Sequence, residues 1–357
     1  MRQGLAIWRW RSGRVWVVLA IGLAAVAWIL HDLDYDRFLG VVATAKPAYL
    51  ALVVLAIIGE QWARAVKWRQ LLHALKPIQT PRLFGTLMAS YFANLMVPGI
   101  SSLVRAWLTA RREGLKVTAV LATVVIERLI GGIVVTALVP LALALAAVPD
   151  PTGLVQNALV WAAVGSFAVF AFLLGALAGY RMQVIGGAGW VAWLIRRLPE
   201  RAATFVAALA RAFAEGIVWP RERIRRFGIV LASIAMKLIA ATQLMWAGLA
   251  IGVHLPPADY LFLLVFLSLL HAFSISARML GGFTIGAVIA LGLFDVPKEQ
   301  ALAMALIVQG SSLLTVASVG GIVLWLQGIG VGDLRAAWPR NRDPIPPDLP
   351  APAAHSR

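Results

Sequence analysis

Apolar segments about as long as a lipid bilayer is thick recur along this chain. A helix needs about 20 predominantly apolar residues to cross the hydrocarbon core. Hydrophobic residues make up 61% of the sequence and charged residues only 13%, which excludes a soluble globular protein. The sequence therefore predicts an all-α polytopic membrane protein with about six full spans. The predicted spans are residues 15–30, 49–72, 117–148, 154–178, 227–252 and 301–326.

Two further apolar regions are too short on either side of a break to span a bilayer. The first, residues 83–110, is interrupted at Pro98 and Gly99, and the second, residues 260–294, is interrupted near Gly281 and Gly282. Broken helices at membrane depth are tolerated where they are buried in protein or line a wet cavity. We therefore predict two re-entrant helical hairpins, the first entering from the cytoplasm and the second from outside.

The two halves of the chain have the same predicted plan of span, span, broken hairpin and span. The halves are about 15–148 and 154–330, within a single transmembrane domain, 15–330. An odd number of crossings separates the hairpins, so they point from opposite faces, as in the inverted repeats of many transporters. Chance similarity between Ala/Leu-rich helices is the alternative explanation.

The distribution of basic residues predicts the orientation. Of 32 Lys and Arg, 23 fall in segments predicted to be cytoplasmic, three in outer loops and six in the membrane. Such a bias is typical of cytoplasmic loops, and it explains the basic excess without a nucleic-acid partner. We expect a multi-pass protein of the bacterial inner membrane with both termini in the cytoplasm.

Three segments of the chain are predicted to lie on the cytoplasmic side. Residues 1–14 form a basic N-terminus before a retained first helix, because no clean signal-peptide cleavage site follows residue 30. Residues 181–226 are an amphipathic connection that lies in the membrane interface. Residues 331–357 are a Pro-rich tail that we expect to be disordered.

Six basic residues and only two acidic ones fall inside the predicted membrane region, where a charge is costly and marks a functional site by default. The surplus of positive charge predicts an anionic ligand, for which lipid phosphate is abundant. We therefore expect the basic residues to bind substrate, the acids to balance charge or take up protons, and Asn94 to cap the broken helix. The basic residues are Arg64, Lys67, Arg105, Arg128, Lys237 and Arg278, and the acids are Glu60 and Glu127.

Purely structural explanations of these charges stay open. Arg64 and Lys67 could reach headgroups from the inner leaflet, with Glu60 neutralising Arg64. Arg105 and Arg128 could form structural pairs with the two acids, because a buried ion pair need not do chemistry.

The sequence offers no enzyme signature. It contains no cysteine, no defensible Ser/His/Asp arrangement, no His-x-x-x-His spacing and no phosphate loop, so neither a cofactor nor a metal is expected. Three hypotheses remain: a transporter of a phospholipid or other polar lipid, an enzyme on lipid-linked phosphates or sugars, and a scaffold protein. The oligomeric state stays open, with a homo-oligomer as one option.

The motifs resemble the flippase-like transmembrane region of lysylphosphatidylglycerol synthases. The match runs from about residue 15 to residue 330, and order and spacing agree throughout. The resemblance implies that the chain moves phospholipids, aminoacylated phospholipids or other polar lipids between leaflets. The matching motifs are Gly59-Glu60 with Arg64, Lys67, Trp68 and Leu71-Leu72, then Asn94, Val97-Pro98-Gly99, Arg105-Ala106, Glu127-Arg128, Gly281-Gly282-Phe283, Val296-Pro297 and Glu299-Gln-Ala-Leu302.

Two departures from the family's pattern bear on the substrate. The fused aminoacyl transferase domain is absent from this sequence, so we expect no synthesis of lysyl-lipid. The second hairpin of the family usually carries a proline before the paired glycines and a glutamate after them. Here Arg278-Met-Leu precedes the glycines and Thr284-Ile-Gly286-Ala follows them. An arginine gained and an acid lost favour an anionic headgroup.

Overall fold

The protein is described by a computed structural model. It covers residues 33–96, 99–146, 148–150, 152–186, 193, 197, 200–217, 220, 222–273 and 282–326. In these ranges the chain forms helices and no strand. The helices are α1 (Tyr35–Ala43), α2 (Pro47–Leu72), α3 (Thr80–Met96), α4 (Ser101–Glu113), α5 (Val117–Leu145), α6 (Leu154–Gly186), α7 (Glu200–Gly216), α8 (Arg223–Ala250), α9 (Pro257–Phe273), α10 (Gly282–Gly292) and α11 (Lys298–Leu326).

Five helices in the described part are long and apolar enough to cross a membrane: α2, α5, α6, α8 and α11. They coincide with five of the six predicted spans, which confirms an all-helical membrane protein. The sixth predicted span, residues 15–30, lies outside the described residues. The short helices α3, α4, α9 and α10 occupy the two broken regions, while their re-entrant character and the inverted repeat stay predictions.

Helix α1 was not predicted, because Asp34, Asp36 and Arg37 indicated a loop between the first two predicted spans. Asp34 precedes the helix, and its side chain accepts a hydrogen bond from the backbone N–H of Arg37 at 3.0 Å. This is the standard way in which an aspartate satisfies a free N–H group at a helix start. The acidic residues therefore begin a helix instead of a loop.

The described residues divide into two compact units, and each of the five long helices contributes to both. Met1–Ile57, Val135–Ser166 and Lys237–Ser312 belong to the first unit. Ile58–Val134, Phe167–Met236 and Leu313–Arg357 belong to the second. The pair α9 and α10 lies in the first unit, and the pair α3 and α4 lies in the second.

The first unit has an apolar core that includes the contact between α9 and α10. Gly286 of α10 lies so close to α9 that an added Cβ would come within 2.4 Å of Leu270 Cδ2. Tyr260 is 1% exposed, and its hydroxyl donates to the backbone carbonyl of Val253 at 3.2 Å. The pair is thus packed with little space between its helices.

In the second unit α3 and α4 pack against each other and against the end of α11. A Cβ at Gly320 of α11 would lie 2.6 Å from the Met88 carbonyl oxygen of α3. At Gly216, the last residue of α7, a Cβ would lie 2.0 Å from the Ala119 carbonyl oxygen of α5. Both contacts need glycine, because real Cβ atoms do not approach so closely.

Candidate functional site

The chain reverses between α3 and α4 through a turn held by one asparagine side chain. Asn94 Oδ1 accepts hydrogen bonds from the backbone N–H groups of Gly99 at 2.8 Å and Ser101 at 3.4 Å. Gly99 has a φ of 88°, a left-handed conformation that glycine adopts without strain. Asn94 thus satisfies N–H groups that the break between the helices leaves without helical partners.

The carboxylate of Glu127 lies between two basic side chains from other helices. Arg105 Nη2 of α4 donates a charged hydrogen bond to Glu127 Oε2. Lys67 Nζ of α2 lies 3.9 Å from Glu127 Oε1 and donates to the Glu127 backbone carbonyl at 3.1 Å. The side chains are 6%, 1% and 3% exposed for Arg105, Lys67 and Glu127. We call these three residues the Glu127 cluster.

Trp68 supports the Glu127 cluster on one side. The Arg105 guanidinium lies over the Trp68 ring, 3.7 Å from its centroid, a cation–π geometry that stabilises a desolvated arginine. Trp68 Nε1 donates to Thr123 Oγ1 at 3.1 Å, and Thr123 in turn donates to the Val120 carbonyl at 2.7 Å. The hydrogen bond to Thr123 therefore fixes the indole through its N–H group. The fixed ring in turn positions the Arg105 side chain.

One donor of Arg105 is left over. Within the described part of the chain, Arg105 Nε is buried and has no hydrogen-bond partner, and the same holds for Arg64 Nε. A buried donor without a partner costs about 1–3 kcal/mol. A buried donor without a protein partner in a native structure calls for an explanation, and binding of a ligand, an ion or a water molecule is one explanation.

Arg64 and Arg128 lie outside the Glu127 cluster. Arg64 Nη2 bonds Glu60 Oε1 at 2.8 Å, one turn away on α2, with side chains 26% and 14% exposed. Arg128 is exposed and donates to Ser102 Oγ at 2.6 Å. Of the four basic residues predicted in this unit, two thus share Glu127, one pairs with Glu60 and one bonds a serine of α4.

Two of the remaining predicted residues, Lys237 and Gly282, belong to the first unit. Lys237 is half-buried. Gly282 begins α10 in that unit. Arg278, Pro98 and Gly281 lie outside the described residues.

Sequence reasoning did not assign a role to several residues that shape the cluster. Trp68 appeared only as part of a motif, although a buried tryptophan usually has a partner for its N–H group. Thr123 and Ser102 gave no separate signal. Gly131 follows Glu127 by one helical turn, and a Cβ there would lie 3.6 Å from Lys67 Nζ, so Gly131 leaves space beside the ammonium group.

The family comparison decides what kind of region this is. The family model for the lysylphosphatidylglycerol synthase TM region matches residues 15–340. The chain belongs to this family. Comparisons with curated proteins and with solved structures found no match.

Membership of the lysylphosphatidylglycerol synthase TM region family covers both compact units and all eleven helices of the described part. The chain is therefore a multi-pass membrane protein of a lipid-related family. In the second unit, the Glu127 cluster places two buried cations beside one carboxylate.

Proposed function

We propose that this protein moves an anionic phospholipid, or another polar lipid with a phosphate group, between the leaflets of the bacterial inner membrane. The observation that carries the proposal is the spare buried donor of Arg105 in a cluster that has two cations and one carboxylate. The cluster is net positive by one charge, and it sits in a chain of a lipid-related membrane family.

The geometry favours phosphate as the group that completes this cluster. Arginine offers donors in a planar fork that matches phosphate oxygens. Nη2 of Arg105 is used by Glu127, whereas Nε is without a partner in the described residues. A phosphate oxygen at Nε would satisfy the donor and neutralise the extra charge.

The proposed path keeps the headgroup within polar surroundings and leaves the acyl chains in the lipid. Carrying a bare charge through hydrocarbon costs from about 3 to more than 10 kcal/mol, and a line of basic groups lowers that barrier. In this proposal α3 with α4, and α9 with α10, are re-entrant pairs that enter from opposite faces, and Arg278 and Lys237 serve the second pair. Both termini are cytoplasmic.

The proposal treats the chain as a transporter and not as an enzyme. Both carboxylate oxygens of Glu127 face a cation, because Oε2 bonds Arg105 and Oε1 lies near Lys67. An enzyme acting on lipid-linked phosphates is the alternative, and it would need Glu127 or Glu60 as its base.

Leaflet exchange in vesicles tests the proposal. Purified full-length protein is reconstituted with fluorescent phosphatidylglycerol, and the fraction accessible to an impermeant quencher is followed over time. We expect faster exchange than in protein-free vesicles, with no change of the lipid on mass spectrometry. Arg105→Ala should abolish the increase, whereas Arg37→Ala, which removes an exposed arginine of α1, should keep it. Exchange at the protein-free rate, or a covalently altered lipid, would overturn the proposal.

A further inference from the structure

A second basic site lies on α4, away from the break between α3 and α4. A cavity of about 270 Å³ is lined by Arg82, Thr86, Thr109, Arg112, Glu113, Ile78 and Leu83. Its volume is just below the range of about 300–1,000 Å³ that is typical of ligand pockets. It is large enough for a headgroup and too small for a whole phospholipid. We call it the α3–α4 cavity.

The charge of this cavity is positive. Among the described residues that line it, Glu113 is the only acid, and Lys76 already bonds the Glu113 carboxylate at 2.9 Å and its backbone carbonyl at 2.9 Å. Arg82 Nη1 lies 3.9 Å from Glu113 Oε1, which is beyond hydrogen-bond distance. The Arg112 guanidinium forms no ion pair or hydrogen bond with any other described residue. Both arginines therefore have donors available to an anion.

A buried hydroxyl lines the same cavity without a partner. Thr109 is 2% exposed, and within the described residues its Oγ1 makes no hydrogen bond. By contrast, the other threonine of the cavity, Thr86, donates to the Arg82 carbonyl at 3.0 Å. A buried hydroxyl is normally satisfied, so Thr109 is an independent sign of a polar ligand here.

Helix α4 connects the cavity to the Glu127 cluster. Arg105, Thr109 and Arg112 are four and three residues apart, so they follow one another along one face of the helix. Arg105 and Thr109 are both buried, and each has a polar atom without a partner in the described residues. This face therefore carries two buried donors without a partner in the described residues, between the basic end of α4 and the buried carboxylate.

We propose that the α3–α4 cavity binds the phosphate group of an anionic phospholipid and is the loading site from which the headgroup reaches the Glu127 cluster. Arg82 and Arg112 bind the phosphate oxygens, and Thr109 donates its hydroxyl. The loading role rests on the proposed function, whereas the binding of phosphate at the cavity does not. In the orientation predicted from the basic residues, the cavity takes lipid from the cytoplasmic leaflet.

Binding of short-chain lipid tests the assignment directly. The full-length protein in detergent is titrated with dihexanoyl phosphatidylglycerol, and separately with glycerol 3-phosphate and inorganic phosphate. We expect Arg82→Gln and Arg112→Gln each to weaken binding of the lipid about tenfold, because a hydrogen bond to a charged group is lost. Thr109→Val should weaken it about threefold. Arg112→Lys, which keeps the charge, should bind with intermediate affinity.

Arg111→Gln is the matched control. Arg111 is the neighbour of Arg112, and both residues are exposed. The guanidinium carbon of Arg111 lies 5.2 Å from the centroid of the Trp107 ring, and Arg111 does not line the cavity. We expect less than a twofold change in affinity. Equal losses in Arg111→Gln and Arg112→Gln would overturn the site, because a general effect of surface charge would explain both. Thermal unfolding of each variant checks that the fold is intact.

The two soluble probes separate the possible sources of the phosphate. Weaker binding of inorganic phosphate than of the lipid, with competition between them, supports a lipid headgroup at the cavity. Equal affinity for both would overturn the lipid assignment in favour of a soluble anion. If wild-type protein binds the lipid at the cavity but shows no leaflet exchange, the proposed function fails and the binding site stands. If Arg112→Gln loses binding and keeps full exchange, the loading role is wrong.

Discussion

Arg105 lies over the ring of Trp68, with its guanidinium carbon 3.7 Å from the ring centroid, while its Nη2 bonds the carboxylate of Glu127. The two contacts use different parts of one group, its face and one edge. A lysine, which is a compact charge without a planar fork, could not make both contacts in this way at once. The arginine at this position is thus specified by geometry as well as by charge.

The buried pair of Arg105 and Glu127 should show strong energetic coupling. Breaking a buried ion pair from one side costs about 3–5 kcal/mol, because the other charge is left without compensation. We expect Arg105→Gln and Glu127→Gln each to lower the free energy of unfolding by an amount in this range, and the double variant to lose less than the sum. The measurement is a double-mutant cycle by denaturant unfolding in detergent.

Arg64 and Glu60 provide the comparison pair for that cycle. They are one turn apart on α2 and partly exposed, so their coupling should be only about 0.3–0.5 kcal/mol. A coupling for Arg105 and Glu127 no larger than this would mean that the Glu127 cluster contributes little to stability.

Replacement of Trp68 should reduce leaflet exchange in steps. Trp68→Phe keeps an aromatic face under Arg105 but removes the N–H donated to Thr123, whereas Trp68→Leu removes both. With a cation–π contact worth about 0.5–2 kcal/mol, we expect a moderate loss in the first variant and about a tenfold loss in the second. The labelled-lipid assay measures both rates. Trp62→Leu, on the same helix but 44% exposed, is the control and should leave the exchange rate unchanged. Similar losses in Trp62→Leu and Trp68→Leu would contradict the role of Trp68 in positioning Arg105.

The turn between α3 and α4 should depend on Asn94 and on Gly99. Asn94→Ala removes the acceptor of two backbone N–H groups, and we expect a loss of about 1 kcal/mol, as for a helix cap. Gly99→Ala should also destabilise the protein, because Gly99 has a φ of 88° that alanine adopts only with strain. Gly310→Ala, in an open position inside α11, should stabilise by up to about 1 kcal/mol. Thermal unfolding compares the three variants.

Two adjacent glycines of α11 should differ in their tolerance of alanine. A Cβ at Gly320 would meet the Met88 carbonyl oxygen at 2.6 Å and Phe92 Cβ at 2.8 Å, so α3 and α11 would have to move apart. At Gly321 the nearest atom, Phe92 Cε2, would be 3.5 Å away, an ordinary contact. We expect a clear drop in melting temperature for Gly320→Ala and none for Gly321→Ala. Equal effects would show that the close approach of α3 and α11 is not fixed.

Asp150 should link stability to pH at the start of α6. The backbone N–H of Gln156 is the main cause that lowers the pKa of Asp150, and the N–H of Val155 and the hydroxyl of Thr152 add to it against partial desolvation. Because the folded pKa is depressed, this stabilisation is present above the unfolded pKa of about 3.9 and is lost as pH falls through the folded value. We expect Asp150→Asn to be less stable than the wild type at pH 7 and this difference to disappear at low pH. Melting curves across pH measure it.

The long helices could be predicted because a long apolar segment is by itself enough to indicate a membrane-spanning helix. Segments such as 117–148 have no alternative to spanning a bilayer, and α5 occupies Val117–Leu145. Helix ends were less accurate: α6 continues to Gly186, beyond the predicted residue 178, because Tyr180 and its polar neighbours can extend a helix into the interface. The short helix α1 was missed for a related reason, since acidic residues at a helix start look like a loop.

The charge pairs of the site could be predicted only where they are local. Glu60 and Arg64 are four residues apart, and the sequence suffices to place them on one face of α2. The contacts of Glu127 with Arg105 and Lys67 span 22 and 60 residues, and they depend on the rotation of three helices about their axes. The surplus of positive charge can be counted from the sequence, but the sequence could not indicate that one carboxylate serves two of the cations.

The hydrogen bond from Lys67 to the Glu127 backbone does not depend on which side chain occupies position 127. Its acceptor is a main-chain carbonyl, which any residue at position 127 would still supply. Lys67 therefore keeps a partner when the side chain at 127 changes, provided that position 131 stays small enough to leave its ammonium group in place. A relative could thus exchange the acid for a neutral residue, and leave the cluster with more positive charge, without losing the position of the lysine.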